Sequence, residues 1–275
     1  MENYLNKKYD LKKWAQFIDE LPLWSAPFGL KLLNYIDYKP NITALDIGFG
    51  TGFPLIEIAM RLGKSSIVYG IDPWIESIER AKEKINFYGI SNIKIIEGTA
   101  ASMPLENNSV NLITSNNCIN NVDNMGKALA ECLRVLKPNG QFIQTMNLDK
   151  SMFEFYDIME KTLLELNLKT EITLMQEHIE HKRPSIDTIL KIIKRDFIIK
   201  DIEYDQFEYK FVDGTAMLDH YFIQLAFMDS WTGVLPTNKV EEIFKRIEIK
   251  LNEQAKTFGA IKLSIPFVLI NGIKK

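Results

Sequence analysis

The stretch ITALDIGFGTGFP, residues 42 to 54, carries an apolar run into Asp46 and then places glycine at 48, 50 and 52. It reads as a strand running into a tight turn. At the carboxyl end of a parallel strand such a turn lets backbone approach a ligand where any side chain would collide. A dinucleotide-binding turn has the spacing G-x-G-x-x-G. Here the third glycine comes one residue early, and Phe53 stands where a small residue should let helix pack on strand. The turn therefore suits a nucleoside-like ligand better than NAD.

Working outward, residues 41 to 148 alternate short β-branched runs with helix-length periodic runs, the pattern of βαβ units and a parallel sheet. The strand ITALDI leads to the helix PLIEIAMRLG, closed by Gly63, and SSIVYGID leads to PWIESIERAKEKINFYG, closed by Gly89. NIKIIEG and SVNLITSN supply two more strands. The helix DNMGKALAECLRVLK, with Asp123 as its expected cap, precedes a KPNG turn and the strand QFIQTMNL. Asp72 ends the second strand twenty residues after Gly52, and a carboxylate there can accept both hydroxyl protons of a ribose.

Beyond residue 150 the pattern turns to longer amphipathic helices, a strand-like FIIKDIEYDQFEYKF, a helical block over 214 to 257 and a last strand AIKLSIPFVLI. The expected architecture is α/β. A Rossmann-like, seven-stranded, mostly parallel sheet has helices on both faces and a helical cap. An N-terminal helical segment (1–40) precedes a cofactor-binding core (41–150) completed by 183–212 and 258–275, and the cap comes from insertions at 151–182 and 213–257.

Composition narrows the function. Lys and Arg total 33 against 36 Asp and Glu, for a net charge of −3, so there is no global cationic field for a phosphate backbone and nucleic acid is not the expected partner. The cations from Lys182 to Arg195 read as the wet side of an amphipathic helix. Cys118 and Cys132 form no C-x-x-C pair, which fits a reducing cytoplasm and argues against a cysteine zinc site. No apolar run approaches the ~20 residues of a membrane span.

The segments LDIGFGTG, YGIDPWIESIERAKEKI, IIEGTAASMPLENNSVNLITSN and ALAECLRVLKPNGQF stand in the order and spacing of one family. Together they resemble the class I S-adenosylmethionine-dependent methyltransferases, in particular the ubiquinone and menaquinone-biosynthesis type acting on small molecules. The resemblance implies S-adenosyl-L-methionine as cofactor. It assigns Asp46 to support of the turn, Gly48, Gly50 and Gly52 to the methionine and ribose portions, and Asp72 to the ribose hydroxyls. Pro73 and Trp74 would lie along the adenine, Gly98, Thr99 and Ala100 would reach its edge, and Asn116 would close the methionine end. Thr99 departs from the pattern, since relatives commonly carry Asp there.

Methyl transfer from a sulfonium is an in-line displacement in which positioning and exclusion of water supply much of the catalysis, so a base is needed only for an acceptor that is not already ionised. Of the three histidines, His178 and His181 read as solvated or helix-terminal. His220, set among apolar and aromatic residues in DGTAMLDHYFIQLAF, is the candidate base. Trp24, Phe28 and Tyr221 are candidates for contact with an apolar or planar acceptor. Two other classes compete: an NAD-dependent oxidoreductase, and a non-catalytic module that only binds S-adenosylmethionine. Nothing in the sequence fixes the oligomeric state, or which atom type accepts the methyl group.

Overall fold

The computed structural model describes residues 4–6, 23–183 and 185–275. Of the helical segment expected over 1–40, residues 1–3 and 7–22 lie outside the described residues, and Ser25–Asn34 forms helix α1. It buries Phe28, Gly29, Leu32 and Leu33, one stripe at helical spacing.

The chain divides into two compact units. One comprises Asp10–Asn147, Pro184–Asp205 and Phe267–Lys275. Its strands β1 (Thr43–Ile47), β2 (Ile67–Asp72), β3 (Ile93–Glu97), β4 (Val110–Asn116) and β5 (Leu136–Asn147) alternate with helices α2 (Leu55–Leu62), α3 (Ile75–Phe87) and α4 (Met125–Val135). β1 is buried at four of its five positions, as a strand covered on both faces must be. Helix α7 (Ile186–Asp196) carries its cations on the wet side, with Ile189 and Ile193 buried, and leads into β6 (Phe197–Phe211). With β7 (Ile261–Lys274) the sheet has seven strands in the order β3-β2-β1-β4-β5-β7-β6. The ladders from β3 through β5 are parallel, and β7 runs antiparallel to β5, Gln141 facing Ile273 and Asn147 facing Phe267.

Parallel register brings the functional ends level. Ile47 pairs with Ile71 and with Ser115, while Asp72 pairs with Glu97 and Asn116 with Thr145. The glycine turn, Asp72 and Asn116 thus emerge at one carboxyl edge.

Two local expectations need correction. Helix α4 is capped not by Asp123 but by Asn124, whose side chain accepts from the Lys127 amide, one residue closer to the first turn. The KPNG segment does not precede β5 but interrupts it: Leu136 already pairs with Val110, and the register shifts before Gln141 meets Leu112.

The other unit comprises Met1–Tyr9, Leu148–Arg183 and Gln206–Pro266. It holds α5 (Phe153–Glu165), α6 (Lys169–Lys182) and the block after β6. That block is not one helix but α8 (Gly214–Asp219), a helical run from Tyr221 to Gly233 containing a π-turn at Gln224–Met228, and α9 (Val240–Phe258). Its core is aromatic. Trp231 stacks on Phe155 with ring centroids 3.7 Å apart and donates from Nε1 to the Tyr156 hydroxyl at 3.1 Å. α9 buries Ile243, Phe244, Ile247, Leu251 and Ala255. A side chain at Gly214 would run into Leu251, so glycine sets how closely α8 approaches α9.

Candidate active site

The centre of the site is the turn after β1. Gly48, Gly50 and Gly52 have φ of 72°, 53° and 116°, a region that strains most L-residues. The Gly48 amide donates to the Ile71 carbonyl at 2.8 Å, so the turn is tied to the next strand from its first residue. A Cβ at Gly48 would fall on the Cys118 side chain, and one at Gly52 would press on Ile56. Around Gly50 there is open space among the described residues. The turn is therefore closed by protein on its flanks and open at its middle glycine.

Asp72 joins the turn to the second strand. Its Oδ2 accepts from the Gly50 amide at 2.8 Å and its Oδ1 from the Trp74 amide at 2.9 Å. Burial, with 6% of the residue exposed, pushes its carboxyl above the ordinary carboxylate value, and the two amides pull it partly back. Each carboxylate oxygen keeps a lone pair for a further donor.

Asp46 lies beneath the turn, fully buried. Its Oδ1 accepts from the Thr114 hydroxyl at 2.6 Å, while Oδ2 lacks a hydrogen-bond partner of good geometry. Its pKa stands at about 7: burial is the main cause of the rise, the Thr114 hydroxyl and the nearby Leu55 amide oppose it, and the charge of Asp72 adds to it. Cys118 is held as a neutral thiol: burial, then the charges of Asp72 and Asp46, push it up to about 12, which removes it as a nucleophile. Cys132 is buried in α4 and also raised by desolvation.

Along the same edge, the Gly98 amide donates to the Asp72 carbonyl at 3.0 Å, placing the turn after β3 beside the turn after β2. Thr99 is exposed and Ala100 buried; Pro73 is exposed and Trp74 half-buried at the start of α3. Asn116 donates from Nδ2 to the Ser25 carbonyl at 3.1 Å and accepts from the Thr145 hydroxyl at 3.1 Å. It clamps the first turn of α1 to β4 and β5. In the same unit Phe28 is fully buried, edge-on to Trp24 and to Phe267.

The sequence reading missed Thr114, Thr145, Ser25 and an asparagine network beyond β4. There Asn120 donates to the Asn147 side chain at 3.1 Å, Asn147 donates its amide to Asn117, and the Asn120 carbonyl oxygen is buried without a partner. Its one sequence signal is the density of asparagine in SNNCINN, since polar side chains at a strand end must find partners or a ligand.

In the other unit, His220 begins the Tyr221–Gly233 run among aromatic rings, with Tyr221 at 4.7 Å, Phe211 at 5.2 Å and Tyr209 at 6.3 Å between centroids. Its Nδ1 and the Tyr209 hydroxyl are buried without a partner, and burial holds the imidazole below its ordinary pKa. His178 and His181 stand in the last two turns of α6. No group of three metal-ligating side chains occurs among the described residues. No helix among them is long and apolar enough to cross a membrane.

Residues 45–144 match a family model described as a methyltransferase domain. Among curated proteins, the demethylmenaquinone methyltransferase of Bacillus mycoides is 27% identical over 139 residues, which is 50% of this chain and 57% of that protein. The chain spans from about a third to under two thirds of the length of the curated relatives it matches. Among solved structures, the YcgJ protein of Bacillus subtilis aligns over 91% of this chain and 98% of its own, with a TM-score of 0.58 and 20% identity. A SAM-dependent methyltransferase from Aquifex aeolicus covers 71% of this chain and 92% of its own, at a TM-score of 0.53 and 22% identity. The glycine turn, its bond to Asp72 and the strand order coincide with these matches: residues 45–144 match a methyltransferase domain, in a chain similar in sequence to the demethylmenaquinone methyltransferases and in fold to solved methyltransferases.

Proposed function

We propose that this protein transfers a methyl group from S-adenosyl-L-methionine to a small-molecule acceptor. The observation that carries the reading is the carboxylate of Asp72 held by the Gly50 amide beside the open middle of the turn. A nucleoside laid over Gly50 meets backbone instead of side chains, and its two ribose hydroxyls meet the remaining lone pairs of Asp72. The donor set fits a neutral ribose with free hydroxyls. The NAD alternative is disfavoured by the early third glycine and by Phe53, which stands where a small residue should let the helix pack.

In this reading Gly48, Gly50 and Gly52 border the methionine and ribose, and Asp46 fixes the turn through Thr114. Pro73 and Trp74 flank the adenine, Gly98, Thr99 and Ala100 reach its edge, and Asn116 closes the methionine end through the second lone pair of its oxygen. The cofactor supplies a methyl group already activated on sulfur, so the protein's task is to orient the acceptor and exclude water. Trp24, in the unit of the glycine turn, contacts an apolar or planar acceptor. Phe28, fully buried, braces Trp24. His220, kept neutral by burial and with Nδ1 unpartnered, takes the acceptor proton where one must leave.

The test is differential thermal stabilisation. S-adenosylhomocysteine raises the melting temperature through binding to the folded state, and NAD does not; the reverse ranking would overturn the reading. Transfer of labelled methyl from the cofactor into a metabolite extract separates an enzyme from a module that only binds.

A further inference from the structure

The asparagine group beyond β4 holds one buried acceptor with nothing to accept. Residues Ile119–Asn121 form a single 3-10 turn after Cys118, and Asn120 lies within it at 7% exposure. Its Nδ2 donates to Asn147 Oδ1 at 3.1 Å and to Asn117 Oδ1 at 3.4 Å. Asn117 Oδ1 also accepts the Asn147 amide at 2.9 Å, so the end of β5 and the turn hold one another. The Asn120 carbonyl oxygen is closed off from water and has no hydrogen-bond partner among the described residues.

The two donated bonds fix which way the amide lies. Turned over, its NH2 would lose both acceptors and its oxygen would face two carbonyl oxygens. The unpartnered atom is therefore the oxygen, and a buried acceptor left without a donor is destabilising. Its position points to the ligand site. Cys118, two residues earlier, fills the space that a side chain at Gly48 would take, so the segment leading to Asn120 packs on the glycine turn. Asn116, clamped to Ser25 and Thr145, leads into the same segment. All of these residues belong to one compact unit. Asn117, Asn120 and Asn147 carry no charge. What the group lacks is a neutral O–H or N–H, not an ammonium, whose desolvation calls for an opposite charge.

We propose that the Asn120 carbonyl accepts a hydrogen bond from a neutral hydroxyl or N–H group of the methyl acceptor, and so selects acceptors that carry one. The unpartnered oxygen stands on its own; naming its partner as the acceptor rests on the methyl-transfer reading above. An amide oxygen is too weak a base to remove the proton, so Asn120 orients the donor group and sets specificity. An analogue without the donor leaves the oxygen buried and unpaired, which is how a polar site rejects a molecule of nearly the same shape. The substrate class narrows to small molecules bearing a hydroxyl or N–H donor.

The test titrates two planar probes into the whole chain saturated with S-adenosylhomocysteine: 1-naphthol, whose hydroxyl is neutral at physiological pH, and 1-methoxynaphthalene, in which a methyl group replaces that proton. Calorimetry shows naphthol binding roughly tenfold tighter, the effect of leaving a buried polar group unpaired. Asn120→Leu, close in size and without an acceptor, removes the preference while S-adenosylhomocysteine affinity stays within about threefold of wild type. Should that variant not fold, Asn120→Ala, which adds no bulk, is read the same way. Equal binding of the two probes to wild type overturns the proposal, as does binding of neither, or a preference that survives in the variant. A loss of about tenfold or more in S-adenosylhomocysteine affinity in the variant also overturns it, by giving the oxygen to the cofactor. Wild type that does not bind S-adenosylhomocysteine would strike the methyl-transfer reading instead, and the ratio of the two probes on the free chain then still reads the oxygen by itself.

Discussion

The Gly50 amide donates to Asp72 Oδ2 across 2.8 Å, joining two positions 22 residues apart and setting the geometry of the open turn before any ligand arrives. Asp72→Ala therefore removes a ribose partner and releases the turn together. S-adenosylhomocysteine affinity is expected to fall by about 10- to 100-fold, the range for a lost charge-assisted hydrogen bond. Titration calorimetry measures it, and an affinity within twofold of wild type would remove Asp72 from the site.

Asp46 makes stability depend on pH in a definite direction. Its folded pKa of about 7 exceeds the ordinary aspartate value of 3.8, so the folded chain keeps a proton that the unfolded chain has already lost. Stability then declines as pH rises from about 4 to about 7 and levels off above, by on the order of 4 kcal/mol if no other group compensates. Asp46→Asn should flatten this part of the profile. Denaturant melts of both proteins at pH 5 and pH 8 check it, and parallel profiles would refute it.

Gly48 and Cys118 form a pair suited to a double-mutant cycle. Gly48→Ala meets a strained φ, at roughly 1–2 kcal/mol, and also collides with the Cys118 side chain. Cys118→Gly in the same chain, which removes both Sγ and the Cβ that an alanine at 48 would strike, should restore the part due to collision and leave the part due to φ. Additive losses across the cycle would show that the two do not meet.

His220 sits where burial lowers its pKa. If it takes the acceptor proton, the acid limb of kcat/KM lies on the acid side of the ordinary histidine range, and His220→Ala abolishes that limb while lowering kcat by about 100-fold or more. A variant with unchanged kcat and raised KM would make it a binding residue.

The glycine turn, Asp72 and the strand sequence were legible because each is written in a short local pattern: an apolar run, a positive-φ turn, a strand-terminal acid. Thr114 and Thr145 were not. The first reaches Asp46 over 68 residues and the second reaches Asn116 over 29, and only the pairing of β4 with β1 and β5 sets them opposite those partners. Nothing in the spacing of a threonine announces such a neighbour. The break of the 214–257 block at His220 and through the π-turn was hidden for another reason, since no Gly or Pro interrupts residues 215 to 232 and side-chain packing decides where the ladder shifts. Arg183 looked like one more cation in a basic run, and burial sets it apart.

The three glycines of the turn answer to different masters. Gly48 and Gly52 are small because protein surrounds them, so their replacement is a folding defect visible without any ligand. Gly50 faces open space in a backbone conformation that asparagine also tolerates. Exchange there would leave a folded chain whose docking shelf is obstructed, and so divides what the turn does for its own architecture from what it does for its guest.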